Sequence, residues 1–358
     1  MRVRRLLLLA AIAAANFAVF EAALRTWGHS EAAPAFQSLF VPDPAIGYRL
    51  RPGARVRFAT AEFDTVIAIN DQGVRDDEPI GPKPPNERRI VVLGDSLVLA
   101  VQVDQRQTFC ELLEQRLNRG GGPIRYRVIN AGVQGYGPVE ELLFFRHVAR
   151  AFQPDLVIAT VFVGNDAEEA VGSAPRLRDR PLAETISEST MTRLRRVVRR
   201  SMVLQILRLR LVAVTSRFSG RGAPPEPPLQ SYAEHPAPRI ADGLRITREC
   251  VDAIAAEARD AGARTTVMLM PARFQVDDAD YGRLKEAVAA AGGHLVRDAA
   301  TERFDAALAP LPRLDALPPL RASLPGPDVF FQQTVHLTPR GHEIVADALE
   351  AFLRRQGL

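Results

Sequence analysis

Residues 89–100 read RIVVLGDSLVLA, and this stretch decides the fold. An arginine leads into an unbroken apolar run from Ile90 to Leu93, which breaks at Gly94, Asp95 and Ser96 before a second apolar run begins. A short run of apolar residues is typical of a strand that is buried on both faces, as in a parallel sheet covered by helices. The stretch therefore predicts a buried strand followed by a turn that carries one small hydroxyl group.

Strand and helix patterns alternate from this point to the C-terminus. The sequence predicts strands over 89–93, 127–130, 155–163, 265–270 and 294–297, and helices over 107–117, 139–151, 244–261, 280–291 and 341–354. Parallel strands need a covering layer on each face, so residues 88–358 are predicted to form a three-layer α/β/α domain. A segment at about 168–240 breaks the alternation and is predicted to be an insertion.

Residues 31–87 have a different pattern, in which apolar and polar residues alternate in short stretches such as Val56-Arg57-Phe58. Pro52-Gly53 and the turn sequence DQG at 71–73 separate these stretches. The pattern predicts a small β-rich extension of antiparallel strands, joined to the main domain by the proline-rich linker GPKPPNERR.

The N-terminus has the features of an export segment. Residues 1–5 are basic, and residues 6–20 carry no charge. Read as far as residue 24, the segment predicts an uncleaved signal anchor within 1–30, in preference to a cleaved signal or a buried globular helix. The positive charges would stay in the cytoplasm, so we expect one span in a bacterial inner membrane and a periplasmic catalytic domain.

The insertion contains a second segment that bears on the membrane. Residues 191–214 place leucines and valines near one face of a helix, and arginines crowd its first half. Such a helix can lie on an anionic membrane surface, but the pattern favours ordinary packing against the domain.

Composition excludes several classes of function. The formal charge of +4, the single tryptophan and the lack of an aromatic-rich basic stripe argue against a nucleic-acid partner. Cys110 and Cys250 are too few for a disulfide framework and are predicted to be buried thiols. The six histidines show no metal-ligand spacing, so neither a metal nor another cofactor is expected.

Three predicted strand ends carry groups suited to acyl transfer. Ser96 follows the first strand, Gly135 lies in the glycine-rich stretch after the second, and Asn165 follows the third. His336 lies just before the last helix, in a loop that can return to the same edge of the sheet. Together they offer a nucleophile, oxyanion donors and a base.

These residues resemble the blocks of the SGNH (GDSL) hydrolases. The matching motifs are GDSL at 94–97, NAGVQGYG at 130–137, GND at 164–166 and His336 with GH at 341–342. The resemblance covers about 88–355 and implies a flavodoxin-like fold with Ser96 as nucleophile and His336 as base. It also implies an oxyanion hole of the Ser96 N–H, the Gly135 N–H and the Asn165 amide. The extension resembles that of membrane-anchored bacterial members.

One position departs from the family pattern. The family keeps an Asp three or two residues before its His, where this chain has Gln333 and Thr334. Three interpretations follow: a Ser–His dyad, an orienting acid recruited from elsewhere such as Asp328, or a weakened or inactive enzyme. We favour the dyad and expect the pKa of His336 to lie near the ordinary value of about 6.5. His342 is predicted to have a capping or packing role.

Three function classes remain open. The favoured one is a serine esterase or acyl hydrolase of the cell envelope, acting on an ester or on an acylated glycan or lipid. The second is an O-acyltransferase that modifies an envelope glycan through the same Ser and His. The third is a non-catalytic binding module on the same scaffold, which the missing Asp favours.

Overall fold

A computed structural model of the chain describes residues 36–177, 227–326 and 328–358. The predicted anchor at 6–24 and the predicted amphipathic helix at 191–214 lie outside these residues. Within them, no helix is both long and apolar enough to cross a membrane.

The centre of the fold is a five-stranded parallel sheet, as the sequence predicts. Its strands are β5 (Glu87–Gly94), β6 (Arg125–Gly132), β7 (Leu156–Phe162), β8 (Arg264–Met270) and β9 (Arg313–Asp315). They lie in the order β6-β5-β7-β8-β9. Leu93 pairs with Ala131 on one side and with Ala159 on the other, so the three strands that precede the predicted site residues lie side by side.

Helices cover both faces of this sheet, which confirms the three-layer α/β fold. They are α1 (Ser96–Leu99), α2 (Phe109–Asn118), α3 (Pro138–His147), α4 (Asp166–Ser173), α5 (Pro238–Asp260), α6 (Arg273–Val276), α7 (Asp278–Ala290), α8 (Ala299–Leu308), α9 (Leu317–Ala322) and α10 (Pro339–Arg355). Short 3₁₀ turns span Gln105–Gln107, Ala149–Phe152, Ala174–Leu177 and Pro227–Tyr232.

Alternation along β5 explains the two covered faces. Ile90 and Val92 pack with residues of α2 and α10, whereas Val91 and Leu93 pack with residues of α3 and α5. Successive side chains of a strand point to opposite faces, so an uninterrupted apolar run requires a core on each side. All four side chains are buried.

The strand predicted at 294–297 is wrong. Leu295 makes only an isolated bridge to Ala233, and the fifth strand is β9 instead. β9 has three residues, of which only Leu314 is buried. A single buried leucine between polar neighbours gives no strand periodicity, so the sequence offered no signal for this element.

The N-terminal extension forms two antiparallel hairpins, as predicted. Strand β1 (Phe40–Asp43) pairs with β2 (Gly47–Leu50), and β3 (Arg55–Ala59) pairs with β4 (Asp64–Ala68). Their buried side chains Leu50 and Ile67 belong to the same apolar cluster as Val91 and Leu93 of the sheet. The extension therefore shares a core with the main domain.

Candidate active site

Ser96 is the first residue of α1 and lies directly after the carboxyl end of β5. Asp95 is the N-cap of this short helix, and its Oδ1 accepts a hydrogen bond from the Leu97 N–H at 2.8 Å. Side-chain caps of this kind satisfy an amide that has no partner within the helix. Asp95 thus anchors the turn that presents the Ser96 hydroxyl.

The carboxyl end of the neighbouring strand, β6, fixes the position of α1. Asn130 Nδ2 donates to the Val98 carbonyl at 2.7 Å. A Cβ atom on Gly132 would lie 2.3 Å from the Leu99 nitrogen, so only glycine permits this approach of strand and helix. The NAG motif therefore packs directly under the helix that begins with Ser96.

Gly135 has a backbone conformation that suits glycine. Its φ is +72°, and a Cβ atom there would lie 3.1 Å from the hydroxyl oxygen of Tyr48. That hydroxyl donates to the Gln134 carbonyl at 2.7 Å. Tyr48 belongs to β2 of the extension, so the extension supports the loop that carries Gly135.

Asn165 precedes the first residue of α4 and lies after the end of β7. Its Nδ2 donates to Glu169 Oε1 at 2.7 Å, one helical turn further along. Its Oδ1 is buried and has no hydrogen-bond partner in the described parts of the chain. The bond to Glu169 fixes the orientation of the amide and leaves its second N–H hydrogen available.

Four carboxyl groups lie around α3 and α4: those of Asp95, Glu141, Asp166 and Glu169, here called the carboxyl cluster. The first three are buried and Glu169 is half-buried. Burial raises the pKa of Asp95 to about 6 and that of Glu169 to about 8. It raises the pKa of Glu141 and Asp166 well above their ordinary values, and the charges of the other members raise them further. Removal from water disfavours the ionised form, so several members hold protons at neutral pH.

Two oxygens of the carboxyl cluster, Glu141 Oε1 and Asp166 Oδ1, have no hydrogen-bond partner among residues 36–177, 227–326 and 328–358. In those ranges, no three His, Cys, Asp or Glu side chains are arranged to hold a metal ion. A protonated carboxyl group can itself donate a hydrogen bond.

His336 lies in a loop closed by a bridge between Phe330 and Leu337, here called the histidine loop (residues 330–337). The Phe331 N–H donates to the His336 carbonyl at 2.9 Å. Phe330 and Leu337 belong to the same apolar cluster as Leu97 of α1, so the loop shares a core with the helix of the predicted nucleophile.

The imidazole of His336 has an unusual environment. Both ring nitrogens are buried and lack a hydrogen-bond partner among the described residues. Burial lowers the pKa of His336 to about 4, so the expectation of a value near 6.5 is wrong. Desolvation penalises the imidazolium, and no carboxylate in the described parts of the chain binds the ring to offset the penalty. His336 is therefore neutral at pH 7, the form that can accept a proton.

Asp328 makes contacts other than the predicted one. Its Oδ2 accepts from Gln332 Nε2 at 2.6 Å, and its carbonyl accepts from the Thr338 hydroxyl at 2.6 Å. Neither contact reaches the His336 ring. Asp328 thus braces the base of the histidine loop instead of orienting the imidazole.

His342 is fully buried, and its Nδ1 accepts a hydrogen bond from the Phe109 N–H at 3.2 Å. Burial lowers its pKa to about 3. It joins the first turn of α10 to the first turn of α2, which agrees with the predicted packing role.

A cavity of about 630 Å³ lies beside Asn165 and the histidine loop, and Ser96, Gly135 and His336 are not among the residues that line it. Asn165 and residues 332–335 of the histidine loop line part of it. Phe162, Tyr232 and Phe274 give it a largely apolar wall, and Arg273 lies on its polar side. An apolar cavity with a few polar groups is typical of a small-molecule site.

The sequence did not point to Arg75, a further residue that supports the site. This buried guanidinium of the extension donates to the carbonyls of Leu99 and Val103 at 2.6 Å and also to that of Ala100. It holds the end of α1 and the loop beyond it. Glu169 was missed as well, although its spacing of four residues from Asn165 on a predicted helix could have indicated it.

The chain matches the model of the GDSL-like lipase/acylhydrolase family over residues 92–344. The protein therefore belongs to this family and is a hydrolase that acts on ester bonds. No curated protein matches the chain.

Solved structures resemble the chain at low identity. The crystal structure of TesA is 14% identical, with a TM-score of 0.38, and the match covers 75% of this chain and 99% of that one. The psychrotrophic esterase EstA from Pseudoalteromonas sp. is 12% identical, with a TM-score of 0.38 and coverages of 75% and 98%. LAE5, from the metagenome of Lake Arreo, Spain, is 12% identical, with a TM-score of 0.41 and coverages of 74% and 94%.

Proposed function

We propose that this protein is a serine esterase of the cell envelope that works through an acyl-enzyme on Ser96, with His336 as its base. The observation that carries the proposal is the imidazole of His336, whose buried nitrogens keep it neutral, in a loop that shares an apolar core with α1, the helix that begins with Ser96. A nucleophilic serine needs a base in its unprotonated form, and burial supplies that form at neutral pH.

The first step forms a bond between Ser96 Oγ and the ester carbonyl carbon. The hydroxyl proton passes to a ring nitrogen of His336, and the carbonyl oxygen becomes an oxyanion. The N–H groups of Ser96 and Gly135 and the free hydrogen of the Asn165 amide stabilise that charge. Fixed donors of this kind cost no reorganisation when the charge develops, because Glu169 and Tyr48 already hold two of the three loops.

The second half of the reaction regenerates the enzyme. The imidazolium returns its proton to the leaving alcohol as the C–O bond breaks, which leaves an acyl group on Ser96. Water then loses a proton to His336 and attacks the acyl carbon. The bond from that carbon to Ser96 Oγ breaks, His336 returns the proton to Ser96 Oγ, and the acid leaves. The apolar wall of the adjoining cavity suits one hydrocarbon part of the ester, either its acyl group or its alcohol.

Labelling with a fluorophosphonate tests the nucleophile. We expect the probe to modify wild-type protein at one site and to leave Ser96→Ala unmodified. The matched control is Ser323→Ala, which removes a hydroxyl that only donates to the Leu320 carbonyl and should label normally. Persistent labelling of Ser96→Ala would remove the mechanism.

The envelope location rests on the basic, then apolar, N-terminal sequence. We expect full-length protein to fractionate with membranes, and a variant that begins at Pro34 to be soluble and folded. Full-length protein found wholly in the soluble periplasmic fraction and starting beyond Ala15 would show that the segment is a cleaved signal.

A further inference from the structure

The turn between β3 and β4 of the extension reaches the histidine loop. Glu62 Oε1 accepts a hydrogen bond from the Gln332 N–H, and Oε2 accepts one from the Gln333 N–H, each at 2.8 Å. The ring of the next residue, Phe63, lies 5.5 Å from that of Phe331 at an angle of 60°. This turn of the extension thus forms hydrogen bonds to Gln332 and Gln333 of the histidine loop and packs against Phe331 of the same loop.

We propose that Glu62 is a positioning residue for His336. The proposal rests on the function assigned above, and it gives the chain a carboxylate that acts on the base indirectly. One of the two backbone amides that Glu62 binds belongs to Gln333, and position 333 is one of the two where the family pattern has its Asp. Glu62 fixes the backbone of the loop, whereas the family's Asp orients the ring itself.

A carboxylate is well matched to this task. Two successive backbone N–H groups present two donors, and a carboxylate offers an oxygen to each of them. The side-chain amide of a glutamine has one oxygen in place of two, so it cannot offer a separate oxygen to each N–H group. The bond between an ionised acceptor and an amide is also stronger than one between neutral groups.

The carbonyl groups of the same residues are held from the opposite side. Arg273 Nη1 donates to the Phe331 carbonyl at 3.0 Å and to the Gln332 carbonyl at 2.6 Å. Glu62 and Arg273 therefore clamp residues 331–333 between an anion and a cation. Because the ring of His336 has no hydrogen-bond partner among the described residues, its position depends on the backbone that this clamp fixes.

The experiment compares Glu62→Gln with Asp64→Asn in the full chain. Asp64 lies in β4 next to the same turn, and its carboxylate pairs with Arg57 on the surface. Two quantities are measured: the kinetics of hydrolysis of p-nitrophenyl acetate, and hydrogen–deuterium exchange of peptides that cover residues 328–337.

We expect Glu62→Gln to lower kcat by about tenfold and to change KM by less than about twofold, because the base is displaced while the cavity is kept. Exchange at residues 332 and 333 should accelerate, and exchange in the central sheet should not. Asp64→Asn should match wild type in both measurements.

Unchanged exchange in Glu62→Gln would overturn the contact, and accelerated exchange with unchanged kcat would overturn its role in positioning His336. The exchange measurement needs no activity. A wild-type protein that forms no acyl-enzyme would therefore contradict the proposed function separately, through the labelling of Ser96.

Discussion

The two sides of the nucleophile differ in their electrostatics. The carboxyl cluster of Asp95, Glu141, Asp166 and Glu169 lies on the side of α3 and α4. Two of its members support the site, since Asp95 anchors the turn of Ser96 and Glu169 binds the amide of Asn165. On the other side, the histidine loop places no carboxylate on the ring of His336 among the described residues. A catalytic triad has the reverse arrangement, with its carboxylate behind the base.

Burial favours the neutral form of an acid and of a base alike, although it shifts their pKa values in opposite directions. Desolvation raises the pKa of the cluster acids and lowers that of His336, so groups on both sides are neutral near pH 7. A protonated Glu169 does not repel an oxyanion held by Asn165, and a neutral imidazole accepts a proton. The missing Asp is thus compatible with activity, but no carboxylate of the described residues binds the ring to stabilise the imidazolium once it forms.

Asn165→Ala should have the largest effect on the cluster side. The change removes the proposed oxyanion donor and frees Glu169, and we expect kcat to fall on the order of 100-fold. The fold should survive, because a polar side chain at a loop end contributes little to the core. Steady-state kinetics with p-nitrophenyl acetate and the melting temperature separate the two effects. A kcat near that of wild type would show that Asn165 only begins the helix.

Gln333→Asp should have the largest effect on the histidine side, with Thr334→Asp as the alternative position. A carboxylate beside the ring would stabilise the imidazolium, raise the pKa of His336 and increase kcat by about tenfold.

The pH profile gives an independent readout for the same variants. In wild type, kcat/KM should be lost only as the pH falls through about 4, where His336 becomes protonated. A variant with a new Asp should lose it at a higher pH. Gln333→Asn, which adds no charge, is the control. A faster Gln333→Asn would mean that side-chain size, not charge, limits the reaction.

The carboxyl cluster should make folding stability depend on pH in an unusual direction. Its folded-state pKa values are raised, for Glu169 from 4.5 to about 8, so the folded protein binds more protons than the unfolded chain across that range. The stabilisation is complete below about 4.5 and is lost as the pH rises through about 8. We expect the melting temperature to fall by several degrees between pH 5.5 and pH 8.

Glu141→Gln should reduce that fall, because glutamine cannot ionise, whereas the exposed Glu249→Gln should leave it unchanged. A fall of the same size in Glu141→Gln and in wild type would mean that Glu141 does not hold its proton in the folded protein.

Features of this molecule that depend on local sequence patterns could be predicted, whereas contacts between segments distant along the chain could not. The sheet and its helices follow from apolar runs such as 90–93, because burial leaves a pattern of apolar residues in the sequence. The carboxyl ends of parallel strands lie together, so Ser96, Gly135 and Asn165 could be grouped without a structure. Strand β9 was missed because one buried leucine has no period.

The supports of the site could not be predicted in the same way. Tyr48, Glu62 and Arg75 each bind backbone groups in segments distant along the chain. Backbone amide and carbonyl groups are common to nearly all residues, so the sequence does not show which residue such a side chain will bind. The low pKa of His336 was missed for a related reason, since the sequence does not show how much water the folded loop excludes from the ring.

Asp328→Asn should have the smallest effect, and it tests whether the two sides really differ. If the histidine side lacks an orienting acid, removal of this carboxylate alters only the bond from Gln332 Nε2, which the asparagine oxygen can still accept. The Asp328 carbonyl, which binds the Thr338 hydroxyl ahead of α10, is unchanged. We therefore expect kcat within about twofold of wild type, as for an exposed polar substitution. Loss of activity in a folded Asp328→Asn would mean that Asp328 moves to the imidazole when substrate binds. The histidine side would then have its acid after all, and the Ser–His dyad would be wrong.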